Sequence, residues 1–417
     1  MSDSVRDRWY LRPGIWFWVV IALGAAVRFY LVVFTEGTYD VTIWEQHARG
    51  VSELGLFDYY HSSPKANHPP FILEAESLLW RGAQSSGIPF RVLLRAPFAC
   101  LDVASAMLLL NLLGFHRWRF PLVAGYWLNP LSVILSGYQG NTDSVVAFAL
   151  LFCVWSFSKE KIATGAVAIG ASLWIKLPGI LAIPALVLYL QGWRRRLLFL
   201  SVVGLVTLVG YFPALVRDAN VIALNVFGYH GRLLQTPAGV PVWGLRVLFF
   251  SIIAAPEKWP EYFHSPVVFL LQHSWQIAVA CALALGLLLR SRSIPELCAT
   301  IAILYLPIYG LTDFWAFQYF SWSLPFWFFL RPWFSIAATF LGSAYIYSLY
   351  WTLCGNGWLL GQWDFAGKLY WPGAVLIFRN LSVLFFFVCA CGFLIAAIWH
   401  QFNRLRLRSA PTENLFV

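Results

Sequence analysis

Residues able to do chemistry in this chain fall into two sets. One is a polar block: seven of the nineteen acids lie between Glu36 and Glu76, around the stretch TYDVTIWEQHARGVSELGLFDYYHSSPKANHPP. The other set lies within or at the edge of apolar runs: Arg28, Arg95, Asp102 and Lys176. An ionisable side chain at the centre of a membrane helix costs roughly 2.5–3.5 kcal/mol, and one Leu returns only about 0.5 kcal/mol. Such residues are functional candidates unless they close an internal salt bridge. Arg95 and Asp102 are about two helical turns apart on one face, so each can pair with a different helix. Lys176 stands in WIKLPGILAIP, where Pro178 and Gly179 break the helix. A broken helix is tolerated where it lines a cavity, and a lysine there suits an anion; the alternative is snorkelling to the surface.

The elements that must position these groups are membrane helices. The 417 residues are 60% hydrophobic and only 12% charged, with 22 Trp and 35 Phe. Soluble domains carry about 25% charged residues, and aromatics crowd membrane interfaces. The composition specifies an all-α polytopic membrane protein and excludes a two-domain soluble one. The net charge of +10 is then explained by loop topology, and no nucleic-acid partner is implied. The seven cysteines show no metal or disulfide spacing.

Apolar runs occur at 14–34, 92–114, 119–137, 143–158, 161–175, 177–192, 196–216, 267–289, 294–311, 319–331, 334–353 and 374–399. They give about 12 transmembrane helices, against the roughly 20 residues a span needs. The short runs 161–175, 177–192 and 319–331 read as half-helices around a cavity. With a cytoplasmic N-terminus the inside segments hold sixteen Lys or Arg against five acids, which places both termini inside. No cleavage site follows the first run, so it is read as a retained span.

The polar block then belongs to a long first external loop, 35–91. Helices are expected at 40–54 and 71–84, both amphipathic, with NHPP opening the second. A second external region, 217–266, contains VFGYHGRLLQTPAGVPVWG and reads as an ordered loop, with 242–255 re-entrant or interfacial. In LNPLSVILSGYQGNTDSVVAF, Asn129-Pro130 interrupts a span, and Gly137, Gly140 and Asn141 make a tight turn. Asp143 follows as a helix cap or a site residue.

The ordered set of motifs resembles the GT-C superfamily of membrane glycosyltransferases. Its closest branches are the dolichyl-phosphate-glucose and dolichyl-phosphate-mannose enzymes and the bacterial polyprenyl-phosphate-mannose transferases. Asp40 early in the first loop, NHPP later in it, LNP followed by GYQGNTDS, WIKLPGILAIP, and FQYFSWSLPF at 317–326 carry the resemblance across most of the chain. There are departures. Asn67-His68 replaces an acidic-aromatic pair before the prolines, and Gln318-Tyr319 stands in place of His-Glu. The absence of a convincing N-glycosylation site in any loop favours a bacterial plasma membrane over an endoplasmic reticulum membrane.

The resemblance implies a GT-C-like fold and an inverting hexosyltransferase, with mannose favoured over glucose. The donor would be a polyprenyl- or dolichyl-phosphate sugar, the acceptor a glycolipid or glycan, and no cofactor or metal is expected. Asp40 is implied as the general base, with Glu45, Glu74 and Glu76 as alternatives; the plainer reading of Asp40 is an N-cap. The phosphate leaving group needs cations, for which Lys176, Arg232 and His230 are the candidates, then Arg28. His68, Asn67, Asp143, Gln318 and Tyr319 are implied as substrate-binding residues. A transporter and a non-catalytic membrane scaffold are the rival readings. A transporter would show internal repeats and a midplane site, whereas here the polar mass sits in one loop.

Overall fold

The structure, a computed structural model, describes residues 13–63, 66–114, 116–228, 244–245, 247–248, 266–313, 316–364 and 371–409. Within these residues the regular structure is helical. In chain order the first elements are α1 (Ile15–Phe34), α2 (Tyr39–Leu54), α3 (Leu56–Ser62), α4 (Pro70–Ser86), α5 (Phe90–Leu113) and α6 (Arg119–Trp127). One turn, α7 (Pro130–Val133), runs into a π-helical turn at Ile134–Gln139. Then come α8 (Asp143–Ser158), α9 (Ile162–Ser172), a 3₁₀ segment Leu177–Ala182, α10 (Ile183–Tyr189) and α11 (Trp193–Ile222), which a π-turn extends. The remainder comprises α12 (Pro266–Gln272), α13 (Ser274–Leu288), α14 (Ile294–Leu304), α15 (Leu306–Leu311), two 3₁₀ segments at Phe317–Trp322 and Leu324–Phe329, α16 (Pro332–Cys354) and α17 (Gly373–Ser409).

Five helical stretches among the described residues are long and apolar enough to cross a membrane: Ile15–Phe34, Phe90–Leu113, Trp193–Phe227, Ile294–Leu311 and Gly373–Asn403. Shorter apolar helices, α8, α9, α13 and the segment Leu177–Tyr189, pack among them. Their outer faces leave Trp18, Phe29, Leu205 and Ile395 exposed, as lipid-facing helices require. The protein is a multi-pass, all-α membrane protein.

Several expected spans are interrupted, each for a local reason. The 119–137 run breaks at Asn129-Pro130, where the Asn129 side chain accepts from the Leu131 N–H and caps α7. The 319–331 run is no α-helix. It forms two 3₁₀ segments with Pro325 at the start of the second, and its Phe320, Phe326 and Trp327 are fully buried. The 161–175 run stops at Ser172, after which Lys176 takes an extended backbone just before Pro178 and the 3₁₀ turn. Of the expected re-entrant piece 242–255, only 244–245 and 247–248 are described.

Two buried arginines tie the helices together. Arg95 on α5 spends all five N–H donors on oxygen. It donates to the carbonyls of Arg91 (3.0 Å), Tyr138 (3.2 Å), Val32 (2.9 Å) and Thr35 (2.5 Å), and to Thr35 Oγ1 (3.0 Å). It therefore clasps the carbonyl end of α1, the negative end of that helix dipole, to the π-helical turn that Gly140 closes. Gly140 in that turn has φ +62°, and a Cβ there would stand 2.0 Å from Arg95 Cγ, so both the backbone and the space demand glycine.

Arg28 on α1 is also saturated. It reaches Asp102 Oδ2 through Nη2 (2.9 Å) and Nε (3.1 Å), the Trp127 and Gly24 carbonyls (2.8 and 3.3 Å), and Ser132 Oγ (2.8 Å). Asp102 accepts further from Ser132 Oγ (2.7 Å), Ser136 Oγ (2.6 Å) and Tyr126 OH (3.2 Å). This closed ion pair locks α1, α5 and the broken 119–139 region together. It corrects the expectation that Arg28 receives a donor phosphate: no N–H of its guanidinium is left for one.

Candidate active site

The first polar loop folds as α2, α3 and α4 in place of a flexible strap. The observed α2 and α4 reproduce the expected helices within two residues. Along α2, Asp40, Trp44, His47 and Val51 share a face at i, i+4, i+7 and i+11, and Trp44, His47 and Val51 are buried. Pro70 opens α4, and Gly87 closes it in a left-handed conformation.

Asp40 lies in the first turn of α2 but does not cap it. The N-cap is Thr38, and no side chain closes that end. Instead the Asp40 carboxyl turns to the π-helical turn, where Gln139 Nε2 donates to its Oδ2 at 2.8 Å. The same Gln139 amide donates to Gln318 Oε1 at 2.9 Å, and its own Oε1 accepts from Tyr350 OH at 2.9 Å. Gln139 is thus fixed from three sides and holds Asp40 beside the 3₁₀ segment that carries Gln318. Asn141 adds a second side-chain hydrogen bond to Asp40.

A second polar pair lies beside the first. Lys176 Nζ meets Asp143 Oδ2 at 3.3 Å, and Trp322 Nε1 donates to Asp143 Oδ1 at 2.5 Å. Asp143 is the first residue of α8 and is fully buried; its carboxyl serves this pair, and Thr142 occupies the N-cap position. Lys176 acts electrostatically on Asp40, His68 and Glu76, so its charge is felt by all three groups.

Burial dominates the acid–base behaviour here. Asp40 keeps some solvent contact, yet its carboxyl is desolvated, and this raises its pKa above the ordinary carboxylate range. The Gln139 hydrogen bond and the Lys176 charge oppose the rise. His68 is pushed well below its ordinary value by burial, then by Lys176 and His47, so it is neutral at physiological pH. Its ring lies 4.1 Å from the Trp44 ring, and its carbonyl accepts from Tyr60 OH at 2.5 Å. Glu76 has no solvent exposure, and neither of its carboxyl oxygens has a hydrogen-bond partner among the described residues. Desolvation raises its pKa well above normal, with Lys176 in opposition.

The sequence candidates separate as follows. Asp40, Lys176, Asp143, His68 and Gln318 converge. Asn67 is half-buried in the segment before α4. Tyr319 turns its ring onto Trp322, stacked at 4.1 Å, and its carbonyl accepts from Tyr309 OH. Arg28 is elsewhere, in its ion pair. His230 and Arg232, with most of the 217–266 loop, lie outside the described residues. Among the alternative bases, Glu74 is exposed, Glu76 is sealed, and Glu45 borders a separate cavity.

Three residues of the cluster escaped the sequence reading. Gln139 was in plain view, in the GYQGNTDS turn, but an uncharged amide carries no electrostatic signal of its own. Trp322 stood in the FQYFSWSLPF motif and reads as one more aromatic among many. Tyr350, inside the apolar run of α16, has nothing local to mark it.

No protein-family model matches the chain. It is 23% identical over 315 residues to GPI mannosyltransferase 1 of Eremothecium gossypii, an alignment that covers 70% of this chain and 75% of that protein. The similarity is to a mannosyltransferase. This agrees with the resemblance carried by the motifs, and it supports reading the chain as a membrane glycosyltransferase.

Proposed function

We propose that the protein transfers a hexose, mannose in the first instance, from a polyprenyl- or dolichyl-phosphate donor to a hydroxyl of a glycolipid or glycan, with inversion. The observation that carries this reading is a desolvated carboxyl, Asp40, within electrostatic reach of a lysine, Lys176, that is itself ion-paired to Asp143. The fungal relative, a GPI mannosyltransferase by name, favours mannose as the sugar and a glycolipid as the acceptor.

In the proposed reaction the acceptor oxygen attacks C1 of the sugar. Its proton passes to Asp40, and the C1–O bond to phosphate breaks with the electron pair leaving on the phosphate. A desolvated carboxylate is a stronger base than an exposed one and so a better acceptor for that proton. The phosphate leaves as a stable anion and needs a cation in place of a protonating acid. Lys176 has three donors, of which one faces Asp143, so it is assigned to the phosphate. Asp143 and Trp322 hold the lysine in place. Gln318 and His68 are assigned to sugar hydroxyls, and Asn67 and Tyr319 to the border of the site. His230 and Arg232 are retained as further phosphate ligands. No step requires a metal. The loop side of the membrane is taken as external, with both termini cytoplasmic.

The test is transfer of radiolabelled mannose from polyprenyl-phosphate mannose by the full-length protein in lipid nanodiscs. A general base contributes about 10²–10⁴ in rate, so Asp40→Asn should lose at least about a hundredfold in kcat while the protein still folds. Wild-type turnover in Asp40→Asn would overturn the assignment.

A further inference from the structure

A cavity of about 770 Å³ opens on the side of α2 away from the Asp40 carboxyl. Its walls come from α2, the C-terminal half of α4, the start of α5 and the segment before α17. Thr42 and Glu45 line it from α2, Trp80 and Gln84 from α4, and Gln362 and Trp363 from the far side. The volume is within the range of small-ligand sites, roughly 300–1,000 Å³. The lining carries carboxylates, amides, hydroxyls and Arg91 together with two indoles and the apolar Val41, Ile88 and Phe90. Indole faces pack against the C–H faces of a pyranose, and the carboxylate and amides take its hydroxyls.

The cavity is connected to the candidate active site. Its wall residue Trp363 donates through Nε1 to Tyr138 OH at 3.0 Å and packs its ring edge-on to Tyr350, 4.8 Å between centroids. Tyr350 in turn holds Gln139, which holds Asp40. Gly37, Thr38 and Tyr39 line the cavity and directly precede Asp40 in the chain. Gly37 has φ +85°, and a Cβ there would press on Val41 and on the Tyr138 carbonyl, so the turn that leads into α2 is tightly packed and demands glycine.

The geometry points to this cavity as a glycan subsite: it holds the non-reacting sugars of the acceptor while the reacting unit bends around the first turn of α2 to Asp40. The inference deepens the glycosyltransferase reading and rests on it for the word acceptor. Binding of a saccharide to the cavity, however, is independent of turnover and is measured separately.

The probe is saturation-transfer NMR between the full-length protein in nanodiscs and methyl α-mannopyranoside or an α-linked mannotriose. Thr42 is exposed and stands on the opposite face from Asp40, so Thr42→Trp fills the cavity without touching the site. Saccharide saturation should fall about tenfold in Thr42→Trp and persist in Asp40→Asn, and the trisaccharide should bind better than the monosaccharide. In turnover, Thr42→Trp should raise the acceptor KM about tenfold and leave donor hydrolysis by water unchanged. Unaltered saccharide saturation in Thr42→Trp, or its loss in Asp40→Asn alone, would overturn the cavity assignment. Turnover by Asp40→Asn would instead overturn the reading of the active site and leave the saccharide result standing.

Discussion

Gln139 donates one amide N–H to Asp40 Oδ2 at 2.8 Å, and that amide cannot rotate away because Gln318 and Tyr350 hold its other atoms. The hydrogen bond favours the ionised carboxylate, against the burial that favours the neutral acid. Burial raises the basicity of Asp40 most, and a residue on a different part of the chain tempers that rise.

The pH profile of kcat/KM follows from this balance. The base must be ionised, so activity rises with pH through an acidic limb that lies above the ordinary carboxylate range. Gln139→Ala removes the donor and moves that limb to still higher pH. A hydrogen bond to a charged group contributes about 1.5–3 kcal/mol, which corresponds to a loss of roughly ten- to a hundredfold in rate on the acidic limb. Raising the pH should restore part of the loss. A loss of the same size at every pH would show that Gln139 does not tune Asp40.

Lys176 and Asp143 should behave as a unit. Lys176→Met leaves a fully buried carboxylate facing only Trp322, so the single variant combines lost donor binding with lost stability. Lys176→Met with Asp143→Asn removes both charges and should recover the stability. In that folded double variant the KM for the lipid-phosphate donor should rise at least about tenfold, with a smaller change in acceptor KM, as expected for loss of a phosphate contact. Steady-state kinetics with each substrate varied separately decides it; an unchanged donor KM would remove Lys176 from the phosphate site.

Arg28 and Asp102 give the contrasting case. Breaking a buried ion pair from one side costs about 3–5 kcal/mol, whereas removing both partners costs far less. Arg28→Met should lower the thermal unfolding midpoint sharply, and Arg28→Met with Asp102→Leu should recover most of the fall. The donor KM of the folded double variant should match wild type. A raised donor KM would return Arg28 to the phosphate site, where its position in an apolar run first suggested it.

That reversal marks where the sequence was legible. The membrane class and α2 and α4 within two residues could be read from hydropathy and proline placement, whereas Asp40, Lys176, Asp143 and Gln318 were singled out chiefly by the family resemblance of their motifs. A charge in an apolar run shows that something must neutralise it, but not whether that is a partner helix or a substrate. Arg28 and Lys176 looked alike in sequence, and only the five filled donors of Arg28 separate them. The 319–331 run was read as a short span from its apolarity, which is equally that of a buried 3₁₀ pair. Gln139 and Tyr350 were invisible because neutral hydrogen-bonding groups gain their meaning only from neighbours far along the chain.

Glu76 supplies a test of stability that does not depend on catalysis. Its carboxyl is sealed on α4 with both oxygens unpartnered among the described residues, and burial raises its pKa in the folded protein well above the ordinary value of about 4.3. Between the ordinary value and the raised one, the folded state holds a proton that the unfolded state has released. Folding is therefore penalised progressively as the pH rises through that window. Lys176 is the charged group that opposes the effect. Glu76→Gln cannot ionise and should lose this slope. The variant and wild type should unfold at similar temperatures near pH 4, and the variant should unfold at the higher temperature near pH 8. Parallel unfolding curves across that range would mean that Glu76 finds a proton donor or a counter-charge in the folded protein and is not desolvated as described.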